Sequence, residues 1–133
     1  MPRRRMDTVK TGMTGTLEWE VTDRLCTTRA EYKVFSTPSM TLFVEMAAGQ
    51  LVEPHLKPGQ GQVGLSVSVR HLAPTPVGKR VRAEVELADI DRRRLRFKVK
   101  VFDEIEQVGE AEHERFVIDV EKYTERLKRK LGG

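Results

Sequence analysis

Residues 34–52, VFSTPSMTLFVEMAAGQLV, decide the fold. A hydroxyl residue directly before Pro38 is typical of a helix start, because the hydroxyl caps a free N–H and proline is tolerated in the first turn. Apolar residues then recur at helical spacing and leave little polar surface. We therefore expect a helix that is buried on nearly every side. Pro54 and the pair Pro58-Gly59 predict where it ends.

Segments on both sides of this helix alternate between apolar and polar residues, which is typical of half-buried strands. The predicted strands are residues 13–21, 63–71, 81–87, 95–101 and 108–120. In the second of them, one face is predicted to hold Val63, Leu65, Val67, Val69 and His71. Residues 22–33 are polar and irregular, which predicts a loop or lid, and residues 121–131 favour a short basic tail helix or a frayed end.

One long apolar helix among five strands predicts an α+β fold, an antiparallel sheet wrapped around the helix. The 133 residues fit a single domain, 1–133, in which residues 1–12 form a flexible arm. One helix cannot cover a long five-stranded sheet alone. We therefore expect a homodimer in which sheet edges pair with each other.

Composition restricts the class of protein. No apolar run approaches the roughly 20 residues of a membrane-spanning helix, and the N-terminal MPRRRMDTVK has no apolar stretch behind its arginines. A single cysteine, Cys26, rules out an intramolecular disulfide and a cysteine-based zinc site. We interpret it as an inert thiol and expect a cytoplasmic protein without a membrane partner.

The net charge of +4 comes with three short basic runs, Arg3–Arg5, Arg92–Arg94 and Lys128–Lys130. Nucleic-acid binding is one interpretation of such runs. Stacking aromatics are not interleaved with them, so we interpret the runs as solvated ends and a hairpin turn, and expect no nucleic-acid partner.

Four polar or small residues stand at positions that suggest chemistry, each with a plainer alternative. Glu45 lies within an apolar helical run, where a carboxylate is costly unless it is paired; otherwise it occupies a solvated stripe. His71 ends its strand and suits acid–base work near neutral pH, or is a satisfied core histidine. Thr37 is either a functional hydroxyl or only a helix cap. Gly64 marks a bulge or a close approach of a ligand to the backbone, where its N–H suits an oxyanion.

The segment Gly109–Arg115 places three glutamates around His113 and hints at a metal site. In a strand, however, Glu112 and Glu114 face one side and His113 the other. One ion would not reach all of them, so we predict no metal.

Several motifs follow one another along the chain in a characteristic order. They are Val34-Phe35-Ser36-Thr37, Glu45 eight residues on, Leu56-Lys57-Pro58-Gly59, Val69-Arg70-His71 before Ala73-Pro74-Thr75-Pro76-Val77-Gly78, and His113-Glu114-Arg115. In this order the chain resembles the fluoroacetyl-CoA thioesterase-like branch of the hot-dog thioesterases. The resemblance implies a dimeric hot-dog fold that hydrolyses an acyl-CoA thioester with Thr37, Glu45 and His71. It implies that Gly64 and Arg115 contact substrate, that CoA is part of the substrate, and that no cofactor is needed.

The chain departs from that branch before the helix, where residues 26–32 are polar and offer only Tyr32 as an aromatic. We therefore expect an acyl group other than fluoroacetyl, in a pocket that Phe35 helps to shape. A non-catalytic module that binds acyl-CoA or an acyl carrier is the alternative function.

Spacing adds a geometric expectation. Thr37 and Glu45 would be about 12 Å apart along one helix, so they share a site only through a bent approach loop or from different chains. Gly64 and His71 would be roughly 23 Å apart along one strand. A two-fold axis near Val67–Ser68 would bring them together, which predicts mixed active sites at a dimer interface.

Overall fold

The computed structural model describes residues 8–132. Its strands are β1 (Thr14–Glu20), β2 (Cys26–Arg29), β3 (Tyr32–Phe35), β4 (Gln60–His71), β5 (Arg80–Asp91), β6 (Arg94–Phe102) and β7 (Gln107–Asp119). Its α-helices are α1 (Thr37–Val52) and α2 (Val120–Lys130). Single turns of 3-10 helix cover Asp23–Leu25 and Glu53–His55.

The main sheet has five strands in the order β1-β5-β6-β7-β4, and every neighbouring pair is antiparallel. Helix α1 packs on one face of this sheet, where it contacts β1, β4, β5 and β7. The predicted α+β fold with a five-stranded antiparallel sheet and one central helix is confirmed.

The core lies between α1 and the alternating inward residues of the central strands. It contains Met40, Phe43, Val44, Ala47, Ala48 and Val52 from the helix, and Val81, Ala83, Val85, Leu87, Leu95, Phe97, Val99 and Val101 from β5 and β6. Burying each large side chain contributes about 1.5–3 kcal/mol. The helix is not covered on every side, however, because Leu42 and Met46 are 48% and 44% exposed.

The start of α1 shows how its hydroxyl residues divide their roles. Ser36 is the N-cap, and its side chain accepts a hydrogen bond from the backbone N–H of Ser39 at 3.2 Å. Thr37 and Pro38 are the first helical residues. Because Ser36 provides the cap, the Thr37 hydroxyl is left to contact another residue.

Residues 22–33 differ from the predicted loop or lid. They contain the 3-10 turn and most of the β2–β3 hairpin, which forms a separate two-stranded sheet. The hairpin turns through Ala30 and Glu31, both with positive φ, a geometry that suits two-residue connections. An ion pair between Lys33 and Asp23 joins it to the 3-10 turn. Strands of four residues are too short and too polar to show a clear alternation.

Strand β4 contains an irregularity at the position where Gly64 had suggested a bulge as one possibility. Gly64 pairs with Arg115 and Ser66 pairs with Glu114, so Leu65 is an extra residue at a β-bulge. The alternation of faces therefore changes phase at this point. The prediction that all five odd-numbered residues from Val63 to His71 share one face was wrong, because Val63 lies opposite the half-exposed Phe116 on the outer side.

Only part of the predicted N-terminal arm, which carries a basic run, lies within the described residues. Residues 1–7, with Arg3–Arg5, lie outside the described residues. The described part of the arm packs against the sheet, since Val9 is buried and the Gly12 N–H donates to the Leu87 carbonyl at 2.8 Å.

The other two runs lie at the ends of secondary-structure elements. Arg92 has a positive φ in the β5–β6 turn. Lys128–Lys130 form the last turn of α2, where cations interact favourably with the helix dipole. Within residues 8–132, the helices are too short or too polar to cross a membrane.

We expect Ser36→Ala to lower the free energy of unfolding by about 1 kcal/mol, because an N–H in the first turn loses its cap. Urea denaturation measures this as a lower midpoint with an unchanged m-value. Ser39→Ala is the matched control, since it removes the hydroxyl contact to Ser36 at 2.8 Å but keeps the capped N–H. Equal losses in the two variants would contradict the assignment of Ser36 as the cap.

Candidate active site

The first part of the site joins the start of α1 to the end of β4. Thr37 Oγ1 and His71 Nδ1 are 2.8 Å apart, a hydrogen bond across 34 residues of sequence. We call these two residues the threonine–histidine half-site. The other ring nitrogen, His71 Nε2, is buried and has no hydrogen-bond partner among the described residues. A buried polar atom of this kind is unusual and marks a position that a ligand or partner can satisfy.

The charge state of His71 follows from its surroundings. Burial lowers the pKa of the imidazole below its ordinary value, and the Ala73 carbonyl only partly opposes this effect. The ring is therefore neutral at neutral pH. A neutral imidazole carries both a proton donor and a proton acceptor, as acid–base catalysis requires.

A cleft of about 720 Å³ opens beside the threonine–histidine half-site. Its walls come from the β2–β3 hairpin, the start of α1 and the segment after β4; they include Cys26, Thr27, Arg29, Val34, Phe35, Ser36, Thr37, Pro38, His71, Leu72, Ala73 and Pro74. Phe35 is almost fully buried and meets Phe43 edge-on at 6.1 Å, so it is a fixed part of the cleft wall.

Cys26 also lines the cleft, but its environment disfavours reactivity. Its thiol donates to the Thr22 carbonyl at 3.3 Å. Burial and the nearby Asp23 carboxylate raise the pKa of the thiol. The protonated form is a poor nucleophile, which agrees with the interpretation of Cys26 as inert.

The second part of the site lies at the middle of α1. Glu45 Oε2 is 3.7 Å from Arg115 NH1, and the Arg115 side chain is only 11% exposed, whereas that of Glu45 is 39% exposed. Glu45 thus has a basic partner that comes from β7 rather than from its own helix. We call Glu45, Gly64 and Arg115 the glutamate half-site.

Gly64 is a glycine for a steric reason. A Cβ at this position would lie 2.5 Å from Glu45 Oε2, closer than real Cβ atoms approach an oxygen. The absence of a side chain therefore lets the carboxylate rest against the strand. Of the two predicted meanings of this glycine, the bulge follows it directly, whereas the close approach seen here is that of the Glu45 carboxylate and not of a ligand.

The two half-sites do not meet within one chain. Thr37 is the first residue of α1 and not part of a bent loop, so it lies about 12 Å from Glu45 along the helix axis. Gly64 and His71 lie seven residues apart in β4, and His71 is its last residue. Of the two arrangements that the sequence left open, only contributions from different chains can unite Thr37 with Glu45.

Sequence reasoning did not identify two residues that contact Arg115 of the glutamate half-site. Gln62 accepts a hydrogen bond from Arg115 Nε at 2.7 Å and donates to the Gly49 carbonyl at 2.9 Å. His113 is 1% exposed and lies 3.3 Å from Arg115 NH1 through Nε2. Strand alternation did place His113 on the face opposite Glu112 and Glu114, but nothing in the sequence connects it to Glu45.

The acidic residues around His113 are not arranged around an ion. Glu112 and Glu114 lie on the outer face, where Glu114 is within 3.8 Å of both Arg94 and Arg96. Throughout residues 8–132, no group of three or more potential metal ligands is close enough to hold a metal.

Comparisons with known proteins agree with this architecture. Residues 18–121 match the model of a family described as fluoroacetyl-CoA-specific thioesterase. The fluoroacetyl-CoA thioesterase of Streptantibioticus cattleyicolor is 36% identical over 98 residues, which are 74% of this chain and 70% of that enzyme.

Solved structures extend the similarity to the fold. The fluoroacetyl-CoA thioesterase FlK is 30% identical with a TM-score of 0.84, covering 92% of this chain and 97% of that one. A mutant of FlK in complex with fluoroacetate and CoA is 30% identical with a TM-score of 0.80, covering 86% and 99%. A hot-dog-like protein from Thermanaerovibrio acidaminovorans is 20% identical with a TM-score of 0.89, covering 96% and 97%, and shows the fold alone.

The predicted hot-dog fold and the predicted class of enzyme, a thioester hydrolase, are therefore confirmed. The family model spans the end of β1, the β2–β3 hairpin, α1, and all four long strands that follow the helix. The chain belongs to the fluoroacetyl-CoA-specific thioesterase family.

Proposed function

We propose that this protein hydrolyses small acyl-CoA thioesters at two equivalent sites in a homodimer. Each site combines the threonine–histidine half-site of one subunit with the glutamate half-site of its partner. The observation that carries the proposal is the buried, unpartnered His71 Nε2 beside a cleft, in a chain whose family hydrolyses thioesters. A reacting group in the cleft would satisfy that nitrogen.

An exposed sheet edge supports the homodimer. Strand β4 is the end strand of the sheet, has twelve residues, and carries Leu65 and Val67 at 53% and 37% exposure. A long apolar edge of this kind tends to pair with another strand. Leu42 and Met46 on the neighbouring helix add exposed apolar surface beside it. A second copy of the chain, paired through β4, would cover this surface.

The bulge restricts how two β4 strands can pair. Directly opposed residues of antiparallel strands lie on the same face. After the bulge, Val67 and Val69 face the helix and Ser68 faces outward, as their pairing with His113, Ala111 and Glu112 shows. An axis midway between Val67 and Ser68 would oppose residues of different faces. The axis must therefore pass through a residue.

An axis through Ser68 brings the half-sites together. It places Val67 opposite the partner's Val69, and the bulge then places Gly64 and Leu65 together opposite the partner's His71. Gly64 and His71 both face the helix side of the sheet, so in this pairing they would lie next to each other on the same side. An axis through Val67 would instead move Gly64 away from His71. We therefore place the two-fold axis at Ser68.

The proposed mechanism assigns one role to each residue. Glu45 acts as base for water or as the direct nucleophile on the thioester carbonyl. The Gly64 N–H stabilises the developing oxyanion. When Glu45 acts as base, neutral His71, oriented by Thr37, accepts the proton that Glu45 takes from water and passes it to the departing thiolate. Arg115 holds Glu45 and contacts substrate. The proposed steps use no cofactor. CoA enters the site as part of the substrate.

The cleft favours a small acyl group that differs from fluoroacetyl. Phe35 closes the back of the cleft, while the hairpin contributes the polar residues Thr27 and Arg29. Tyr32, its only aromatic residue before Phe35, is 70% exposed and does not line the cleft. The hairpin therefore brings polar side chains rather than aromatic ones to the cleft beside Phe35. The reducing compartment suggested by the single free Cys26 favours the cytoplasm.

We expect Glu45→Gln to lower kcat by about 100-fold or more, because the amide is neither a base nor a nucleophile. Thiol release from acetyl-, fluoroacetyl-, isobutyryl- and benzoyl-CoA measures the activity and ranks the acyl groups. Glu18→Gln, the same change on the exposed edge strand β1, is the control and keeps full activity. Saturable binding of these thioesters without thiol release from the unmodified protein would favour the non-catalytic binding module instead.

We expect two inactive variants to complement each other. His71→Asn and Glu45→Gln homodimers each lack one member of every site, but a heterodimer contains one intact site of two. Mixing equal amounts after dissociation and refolding should restore about a quarter of the unmodified activity, given random pairing of subunits. Each variant refolded alone stays inactive, which is the control. Absence of complementation in a mixture shown to contain heterodimers would contradict the mixed site.

We expect kcat/KM to remain constant through neutral pH and to fall only below pH 6.5, because burial lowers the pKa of His71 and its neutral form is the active one. The stability of the fold depends on pH in the same direction as the activity. The unfolded chain binds the proton more readily, so Tm falls as the pH drops below 6.5. A pH–rate profile measures the first effect, with His55→Asn as a control. An acid limb centred above pH 6.5 would contradict the prediction.

A further inference from the structure

We propose that His113 is a positioning residue for this reaction, holding the Arg115 guanidinium against Glu45 and fixing the bulge that carries Gly64. The inference rests on the proposed function, because it assigns His113 a role through Glu45. His113 itself is not placed in contact with substrate. Four observations support it, concerning its tautomer, its charge, its contact with Arg115 and its contact with the bulge.

The tautomer of His113 is set by a backbone carbonyl. His113 Nδ1 lies 2.8 Å from the Ser66 carbonyl oxygen, which can only accept a hydrogen bond. Nδ1 must therefore carry the proton. In a neutral ring, Nε2 is then an acceptor, and it faces Arg115 NH1 at 3.3 Å. The ring is fixed in addition by stacking on Phe97, with centroids 5.9 Å apart.

The neutral state of His113 is favoured by its burial, which lowers the pKa of the imidazole, and by the nearby Arg115 charge, which acts in the same direction. The Ser66 carbonyl and the Glu45 and Glu114 carboxylates oppose this shift. A neutral ring is required here, because a protonated one would present a second cation to the guanidinium and lose its acceptor nitrogen.

The contact with Arg115 reaches the carboxylate in one further step. The same NH1 atom that points to His113 Nε2 is 3.7 Å from Glu45 Oε2. Gln62 holds the other side of the guanidinium through Nε at 2.7 Å. Arg115 is thus held from two sides, and removing the His113 acceptor would free its NH1 end. Glu45 would then lose the fixed charge that orients it.

The contact with the bulge reaches Gly64. Ser66 is the first residue of β4 to regain pairing after the extra Leu65. Its carbonyl is bound by a side chain from β7, which fixes the local geometry of the bulge. The same ring lies 3.7 Å from the position that a Cβ of Gly64 would occupy. His113 therefore contacts both the strand and the cation that surround Glu45.

Three substitutions separate these contacts from packing alone. His113→Phe keeps a ring against Phe97 but removes both hydrogen bonds. His113→Gln places an amide oxygen near the Nε2 position, and His113→Asn places an amide nitrogen near the Nδ1 position. We expect the Phe variant to lose at least about tenfold in kcat on acetyl-CoA, with KM changed less than about twofold. The Gln variant should recover at least about threefold of that loss, since Arg115 regains an acceptor.

Val85→Ala is the matched control for packing. Val85 is 2% exposed in β5, so its truncation lowers Tm while kcat stays unchanged. A folded His113→Phe enzyme with unmodified kcat would overturn the proposal, as would equal kcat losses in the Phe and Gln variants. If the Phe variant does not fold, the comparison of Gln with Asn decides: higher kcat in Gln supports the proposal, and equal or lower kcat overturns it.

Glu45→Gln, assayed beside these variants, distinguishes failure of the proposed function from failure of the role assigned to His113. Full activity of Glu45→Gln would refute the proposed function whatever the His113 variants do. Loss of activity in Glu45→Gln together with an unaffected His113→Phe enzyme would refute only the role of His113.

Discussion

The extra residue in β4 is the constraint on which the site depends. In a regular strand, Gly64 and His71 would face opposite sides of the sheet, because they are seven residues apart and strand faces alternate. The bulge leaves Leu65 out of the pairing, so that Gly64 faces Glu45 and His71 faces Thr37, both on the side of α1. The bulge thus turns both candidate site positions of the strand towards the helix, and in the proposed dimer it also decides which pairing of two such strands would bring them together.

Burial and charge divide the work between the two half-sites. Both imidazoles are kept neutral by desolvation, which lowers their pKa values. The Glu45 carboxylate, in contrast, remains partly exposed and has a cation nearby, because Arg115 of β7 approaches it. In the proposed mechanism, neutral His71 transfers the proton and Glu45 attacks or activates water, so the two half-sites supply different groups.

The sequence predicts the regular parts of this structure and fails at its irregular ones. The hydroxyl–proline signal located the start of α1 to within one residue, and the long strands followed from their alternation. Thr37, Glu45, His71, Gly64 and Arg115 were all singled out, Arg115 by resemblance only. Gly64 indicated a bulge as one of two possibilities, but Val63, Leu65 and Val67 continue an unbroken alternation, so the predicted faces of β4 took no account of an extra residue. Residue types alone also could not connect Glu45 with Arg115 and His113, since those contacts span about 70 positions and depend on the register of β4 against β7.

If the site combines two subunits as proposed, the separation of the half-sites makes hydrolysis depend on formation of the dimer. A helix of sixteen residues is rigid, so Thr37 cannot approach Glu45 by a small movement within one subunit. A monomer would hold the imidazole and the carboxylate ready but apart, and would bind or release an acyl group without hydrolysing it. Joining two β4 edges would at once bury Leu65 and Val67 and complete both sites. In the proposed assembly, the apolar surface that stabilises the dimer and the geometry that permits hydrolysis are therefore created by the same strand.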